Sequence, residues 1–198
     1  MAGLDEAGRG CLFGPVYAAA VILDPARPIR GLRDSKQLEP EVRQELAGVI
    51  RERAIGWAVA WADNREIDRL NIYQASRLAM RRALEALPVE PDYLLVDALR
   101  LDTAIPQRGL IDGDALCRSI AAASILAKVD RDSSMAEWDH LYPEYGFLAH
   151  KGYSTPQHLK ALAEHGPTAH HRFSYEPVRL AGGDPQLSLF TEAGAAWK

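Results

Sequence analysis

Eight consecutive apolar residues, Val16 to Leu23 (VYAAAVIL), constrain the fold of this chain more than any other feature. A strand with one wet face alternates apolar and polar residues, whereas a strand with no polar position must be covered on both faces. The run falls well short of the ~18 residues needed to cross a bilayer, and no other stretch reaches that length. It calls for a sheet sandwiched between helices, and the flanking sequence supplies both. Ala2 to Glu6 reads as a short strand, followed by a bend at Gly8, Gly10 and Gly14. Pro40 to Ala54 has helical spacing, Gly56 to Ala62 reads as a third strand, and Asn64 is taken as the N-cap of a short helix, Arg65 to Leu70. Ile72 to Leu87 carries an apolar stripe of Ala75, Leu78, Ala79 and Ala83, and Pro88 and Pro91 stop it. Tyr93 to Val96 is a short strand ending at Asp97, and Gly109 to Ile111 is a further strand or its edge. Ile120 to Leu141 reads as a long helix whose three alanines, Ala121 to Ala123, allow close backbone packing. Thr155 and Pro156 form an N-cap and N1 pair for a helix through Glu164. Strands alternating with helices predict an α/β sandwich over residues 1–180. From Ala181 onward the composition turns to Gly, Pro, Ala and Ser, and a flexible tail is expected over 181–198.

With 47% hydrophobic and 25% charged residues in 198, the composition is that of one soluble globular domain. Cys11 and Cys117 form neither a CxxC motif nor a disulfide framework, and Met1 to Gly10 hold no secretory signal. Reduced thiols in a cytoplasm are the expectation. The net charge of −4 argues against a surface built for polyanions, because phosphate binding is driven by basic groups. A site of carboxylates built to hold cations would itself pull the total down, however. Arg9, Lys36, Lys128, Lys151 and Arg172 are the basic residues available to border such a site.

Four acids stand where such a site is expected, beyond strand ends. Asp5 and Glu6 close the first strand, Asp97 follows Tyr93 to Val96, and Asp114 follows Gly113 just before the long helix. Four oxygen donors converging from separate segments suit hard divalent cations such as Mg²⁺ or Mn²⁺. The same residues also fit solvated acids at loop starts. One geometric difficulty stands out: neighbours on a strand point to opposite faces, so Asp5 and Glu6 reach one site only if the backbone twists at Glu6. Gly8 and Gly10 would ease such a twist.

The ordered motifs go further. Asp5-Glu6-Ala7-Gly8-Arg9-Gly10, with Leu12-Phe13-Gly14-Pro15-Val16 after it, resembles the signature of the ribonuclease HII family, bacterial type. Asp34-Ser35-Lys36, Asn71-Ile72, Val96-Asp97, Gly113-Asp114, Ala122 to Lys128 and His150-Lys151-Gly152-Tyr153 resemble it too, in the family's order, from Leu4 to about Val178. The resemblance implies a ribonuclease H-like mixed β-sheet flanked by helices, with a helical C-terminal part. It implies a metal-dependent endonuclease that cuts RNA/DNA hybrids, and duplex DNA on the 5′ side of embedded ribonucleotides, leaving 3′-OH and 5′-phosphate ends. Asp5, Glu6, Asp97 and Asp114 become the catalytic carboxylates, binding two Mg²⁺ or Mn²⁺ ions in the substrate complex. Gly8, Arg9, Gly10 and Tyr153 become the sensors of the RNA-to-DNA junction, and Lys36, Lys128 and Lys151 candidate backbone contacts. One departure stands out: Asp112 occupies the place where the family usually has Lys before Gly-Asp. Asp132 competes as fourth ligand, but lies four residues after Lys128, where a surface ion pair is expected.

Two rivals remain. Ribonuclease HIII shares the catalytic core but usually carries an added N-terminal domain, whereas here the Asp-Glu pair begins at position 5. A non-catalytic hybrid-binding module would not need four acids beside a polyanion. His165, His170 and His171 suggest zinc, but Gly166-Pro167 breaks their spacing and no Cys completes a ligand set, so they are read as structural or surface residues. In the tail, Gln186-Leu187-Ser188-Leu189-Phe190 resembles the pentapeptide by which bacterial proteins bind the DNA sliding clamp. Gln186, Leu187, Leu189 and Phe190 are its candidate contacts, and docking on the chain's own domain is the alternative.

Overall fold

The computed structural model describes residues 1–182, so the tail motif at Gln186, Leu187, Leu189 and Phe190 lies outside the described residues. Five strands form one sheet in the order β3-β2-β1-β4-β5. They are β1 (Ala2–Ala7), β2 (Val16–Ile22), β3 (Gly56–Ala62), β4 (Leu94–Asp97) and β5 (Gln107–Leu110). β2 pairs antiparallel with both β1 and β3, while β4 runs parallel to β1 and to β5. The sheet is therefore mixed, as expected. The helices are α1 (Pro40–Arg53), α2 (Asn64–Leu70), α3 (Ile72–Glu85), α4 (Gly113–Leu116), α5 (Arg118–Leu141), α6 (Phe147–His150), α7 (Pro156–His165) and α8 (Glu176–Ala181).

The apolar run is covered on both faces, as its pattern demands. Val16, Ala18, Ala20 and Ile22 pack with Ala75, Ala79, Met80 and Ala83 of α3. Ala19 and Val21 pack with Ala47 and Ile50 of α1 and with Ala122, Ala123, Ile125 and Leu126 of α5. Alanines at the contacts let α5 lie close to the sheet, at the close packing typical of protein interiors. A third cluster of Leu12, Phe13, Met135, Tyr145, Phe147, Leu162 and Val178 anchors the helical C-terminal part.

Several boundaries differ from expectation. Asp63, not Asn64, caps α2: its side chain accepts from Glu66 N (2.8 Å) while Glu66 accepts from Asp63 N (3.0 Å). Asn64 instead donates to the carbonyls of Ala169 and His171, at 2.9 and 3.1 Å, tying α2 to the C-terminal part. The long helix begins two residues earlier than expected, β5 is shifted toward the N-terminus, and short helices α4, α6 and α8 punctuate the loops.

His158 and His171 are fully buried, with Nε2 atoms 3.0 Å apart. His158 Nδ1 faces the Tyr153 carbonyl at 2.9 Å, so that nitrogen carries the proton and His158 Nε2 accepts. His171 Nδ1 accepts from Thr168 N at 2.9 Å, so its proton sits on Nε2. Both rings are neutral, with every nitrogen satisfied. Burial foremost pushes His158 down to about 4 and His171 down to about 3. The unfolded chain binds these protons first, so the pair's contribution is complete above the ordinary histidine value and is lost as pH falls toward 4 and 3. Relative to the double variant His158→Gln/His171→Gln, wild-type stability should fall by roughly 2–4 kcal/mol more between pH 7 and pH 5. The comparison cancels the carboxylates described below, which act in the opposite sense. Parallel urea curves at the two pH values test it, and an equal fall in both proteins refutes it.

Candidate active site

The carboxylates gather at the C-terminal ends of β1 and β4, two parallel neighbours at the middle of the sheet. Strand alternation sends Gly3 and Asp5 toward α5, where Asp5 is 5% exposed. β1 stays in register with β2 through Asp5↔Ala19, Glu6↔Ala18 and Ala7↔Tyr17, so the ladder runs unbroken through Glu6. The ladder to β4 ends at Leu4↔Val96 instead, which opens the sheet beside Asp5 and Glu6. Glu6 leaves from the opposite face, yet its longer side chain still feels the charge of Asp97. The positive φ arrives later, at Gly8 (95°).

Asp97 ends β4, and its Oδ1 accepts from Gly113 N at 2.8 Å, which brings Asp114 alongside. Asp112 takes a left-handed conformation there, φ 53°, ψ 40°. Aspartate tolerates that region better than lysine does, which gives the departure at this position a conformational basis. A side chain at Gly113 would meet Ile120 Cδ1 at 2.7 Å and Asp97 Oδ1 at 3.1 Å, so the turn packs closely against the end of β4.

Burial first, then the charges of Glu6 and Asp97, hold the Asp5 carboxyl well above the usual carboxylate range, against a lowering hydrogen bond from Ser124. Burial likewise raises Glu6, with Arg9 opposing. Asp114 is raised by burial and then by Asp34 and Asp97. The four carboxylates thus share one field. No three of them form a closed ligand group among the described residues. Glu6 Oε2 is buried and accepts no hydrogen bond. An acceptor left so costs about 1–3 kcal/mol, more when charged. An all-oxygen donor set with excess negative charge and one orphaned oxygen fits a hard divalent cation.

The predicted rim residues separate into three groups. Arg9 pairs with Glu6 at 3.2 Å, and Lys36 is exposed, with its charge lowering Glu6 and Asp114. Tyr153 is partly exposed at 38%, and burial of its hydroxyl end pushes the phenol up to about 12, so it remains a donor at neutral pH. Lys128 is committed to Asp132 at 2.8 Å and lies 5.4 Å from the Tyr153 ring centroid, and Lys151 takes a left-handed turn whose carbonyl accepts from Arg131 at 2.9 Å. Asp132 sits among Lys128, Arg131 and Arg43 at 2.8, 3.8 and 3.9 Å, a partly buried network rather than a surface pair. Arg172 is not an exposed rim cation: it is fully buried and lies beneath the glycine loop, where its Nη1 donates to the Arg9 carbonyl at 2.8 Å. His165 and His170 hold no metal-like arrangement with His171; His170 packs on Trp138 with ring centroids 4.4 Å apart.

Sequence reasoning missed Asp34, Ser35 and Ser124. Asp34 caps the turn at Ser35 to Gln37 by accepting from Lys36 N at 2.9 Å and faces Asp114, while Ser35 Oγ and Ser124 Oγ are 2.9 Å apart beneath Asp5. The Asp34-Ser35-Lys36 motif and the Ala-Ala-Ser segment are the signals in the sequence that mark these residues.

Comparison with known proteins agrees with this geometry. The family model described as Ribonuclease HII matches residues 2–178. A Ribonuclease HII of Solibacter usitatus is 59% identical over 201 residues, covering 99% of this chain and 88% of the relative. The crystal structure of ribonuclease H2 from Pyrococcus horikoshii superposes with a TM-score of 0.77 at 27% identity, covering 91% of this chain and 96% of that one. A structure of the PCNA:RNase HII complex from Archaeoglobus fulgidus gives a TM-score of 0.77 at 25% identity, covering 91% and 95%. With a ribonuclease H-like mixed sheet, a family model spanning nearly all described residues and relatives matched over most of their length, the chain belongs to the ribonuclease HII family of hydrolytic nucleases.

Proposed function

We propose that this nuclease hydrolyses the phosphodiester on the 5′ side of ribonucleotides embedded in duplex DNA, and the RNA strand of RNA/DNA hybrids, leaving 3′-OH and 5′-phosphate ends. The observation that carries this reading is the buried, unpartnered Glu6 Oε2 within reach of the charges of Asp5 and Asp97, with Asp114 beside Asp97, next to a glycine loop open to a nucleic-acid backbone. Asp5, Glu6, Asp97 and Asp114 would hold the divalent ions, Mg²⁺ or Mn²⁺. Bound there as a pair, such ions supply the charge that activates a water and stabilises the departing oxygen. The chain's own residues do the rest. Ser124 and the Glu6 amide hold Asp5, Gly113 N orients Asp97, and Arg9 offsets Glu6 until substrate arrives. The backbone groups of Gly8 and Gly10 meet the sugar carrying the 2′-OH, and the Tyr153 ring packs on the next sugar, which favours a deoxyribose. Lys36 and Lys151 serve as backbone contacts; Lys128 does so only after leaving Asp132.

Residues 1–180 form the catalytic domain in this reading, and the protein works in the cytoplasm; among the described residues no helix is long and apolar enough to cross a membrane. The test is cleavage of a duplex carrying one ribonucleotide, with Mg²⁺, with Mn²⁺ and with EDTA. A single metal-dependent cut 5′ of the ribonucleotide is expected. Cutting of long hybrids alone would remove the junction role of Arg9 and Tyr153, and no cutting under either metal would leave only hybrid binding.

The pentapeptide Gln186 to Phe190 supports a sliding clamp as partner, because Leu187, Leu189 and Phe190 are costly to leave in water and a short segment can carry them into a pocket. Deleting residues 186–190 should abolish binding to purified bacterial clamp while leaving cleavage of a short duplex unchanged. Undiminished clamp binding would end the idea.

A further inference from the structure

The Gly8-Arg9-Gly10 loop has little side-chain bulk to hold its own shape, so something beneath it must. Arg172 comes up from the segment before α8, fully buried, its hydrogen bonds going to two carbonyls and a tyrosine hydroxyl rather than to a carboxylate. Burying a guanidinium without a carboxylate is costly, and an aliphatic side chain would fill the space more cheaply. What the guanidinium adds is a rigid fork. Its Nε donates to the Gly14 carbonyl at 2.9 Å and its Nη1 to the Arg9 carbonyl at 2.8 Å. Tyr175 OH donates to the same Arg9 carbonyl at 2.6 Å and stands 3.2 Å from Arg172 Nη1. The middle of the loop and the chain just beyond it are thereby tied to one planar group.

Peptide geometry sets the consequence. The bond between Arg9 and Gly10 is planar and trans, so the Gly10 N–H points opposite to the Arg9 carbonyl. With that carbonyl held inward by two donors, the Gly10 N–H faces outward. Gly10 is exposed, a Cβ built on it meets nothing within 4 Å, and its N–H has no hydrogen-bond acceptor among the described residues. Arg131 supports the other end, filling the space where a Gly8 Cβ would come within 2.1 Å of its Nε.

We propose that Arg172 and Tyr175 are positioning residues for substrate recognition: by fixing the Arg9 carbonyl inward they present the Gly10 amide, already oriented, to the sugar–phosphate backbone of the substrate. The inference rests on the reading of Gly8 to Gly10 as a nucleic-acid contact. A merely structural staple would make the same hydrogen bonds but would have no effect on substrate affinity.

The test is steady-state cleavage by the full-length chain with Mg²⁺, on the one-ribonucleotide duplex and on a long RNA/DNA hybrid. Wild type, Tyr175→Phe and Gly10→Ala are compared at a temperature where circular dichroism shows all three folded. Tyr175→Phe keeps the partly buried ring and removes both hydrogen bonds of the hydroxyl, the one donated to the Arg9 carbonyl and the one accepted from Arg172 Nη1, so KM should rise about 2–10-fold with kcat little changed. Gly10→Ala adds a methyl group to open space and should raise KM without lowering the melting temperature. An unchanged KM for Tyr175→Phe on every substrate that wild type cuts would overturn the proposal, whatever the melting temperature does. A fall in kcat alone would overturn it as well. Should Tyr175→Phe not fold, Arg172→Lys, which keeps the charge but loses the fork, is read by the same criteria. Wild-type substrate preference tests the functional reading separately, so the two can fail independently.

Discussion

Asp97→Asn should reduce cleavage by about 10²–10³-fold, the cost of removing one preorganised electrostatic group from a reacting centre. The same substitution should raise the melting temperature of the protein in EDTA. Both follow from one cause. Asp97 repels Asp5, Glu6 and Asp114, whose carboxyls are all raised in part by its charge. Asparagine keeps an oxygen to accept from Gly113 N, so the turn that carries Asp114 survives while one negative charge goes. Added Mg²⁺ should then stabilise wild type more than the variant, because binding to the folded state alone is linked to stability. Melting curves in EDTA and in Mg²⁺, beside cleavage assays, read all three. Equal activity, or a lower melting temperature in EDTA, would show that Asp97 is not a member of a repelling ligand set.

Gly3→Ala should destabilise the fold by about 3 kcal/mol or more, at the upper end of overpacking effects. A Cβ at Gly3 would stand 2.1 Å from Ser119 C and 2.4 Å from both Ile120 N and Ser119 O. These are backbone atoms at the start of α5, which cannot rotate away as a flexible side chain would. The helix would have to lift from β1, and it carries Ser124 beneath Asp5 and Arg131 beneath Gly8. Gly48, inside α1 with nothing within 4 Å of its built Cβ, is the control: alanine there removes a helix-interior glycine at no steric cost. Urea denaturation compares them, and a loss below about 1 kcal/mol for Gly3→Ala, the scale of an ordinary substitution, would mean that α5 yields easily.

Much of the fold is legible along the chain because its causes are local. The polar-free run from Val16 to Leu23 dictates a strand with two covered faces, and the Thr155-Pro156 pair starts α7 where capping chemistry says it should. The carboxylates at strand ends and the ordered motifs around them point to the family before any coordinate is known. Tertiary structure decided the rest. Strand alternation called for a twist at Glu6; the ladder to β2 runs unbroken to Ala7, and the gap comes from the short ladder between β1 and β4, a property of two segments about ninety residues apart. Arg172 reads as one more cation for a rim, yet packing buries it under the glycine loop, because only the fold brings the Arg9 and Gly14 carbonyls to it. His158 and His171 look unrelated along the chain and become a neutral, mutually bonded pair inside it. Periodicity, caps and turns are written in neighbouring residues. Which charge is buried, and against which partner, is settled only when distant segments meet, since desolvation and pairing depend on what surrounds a group in space.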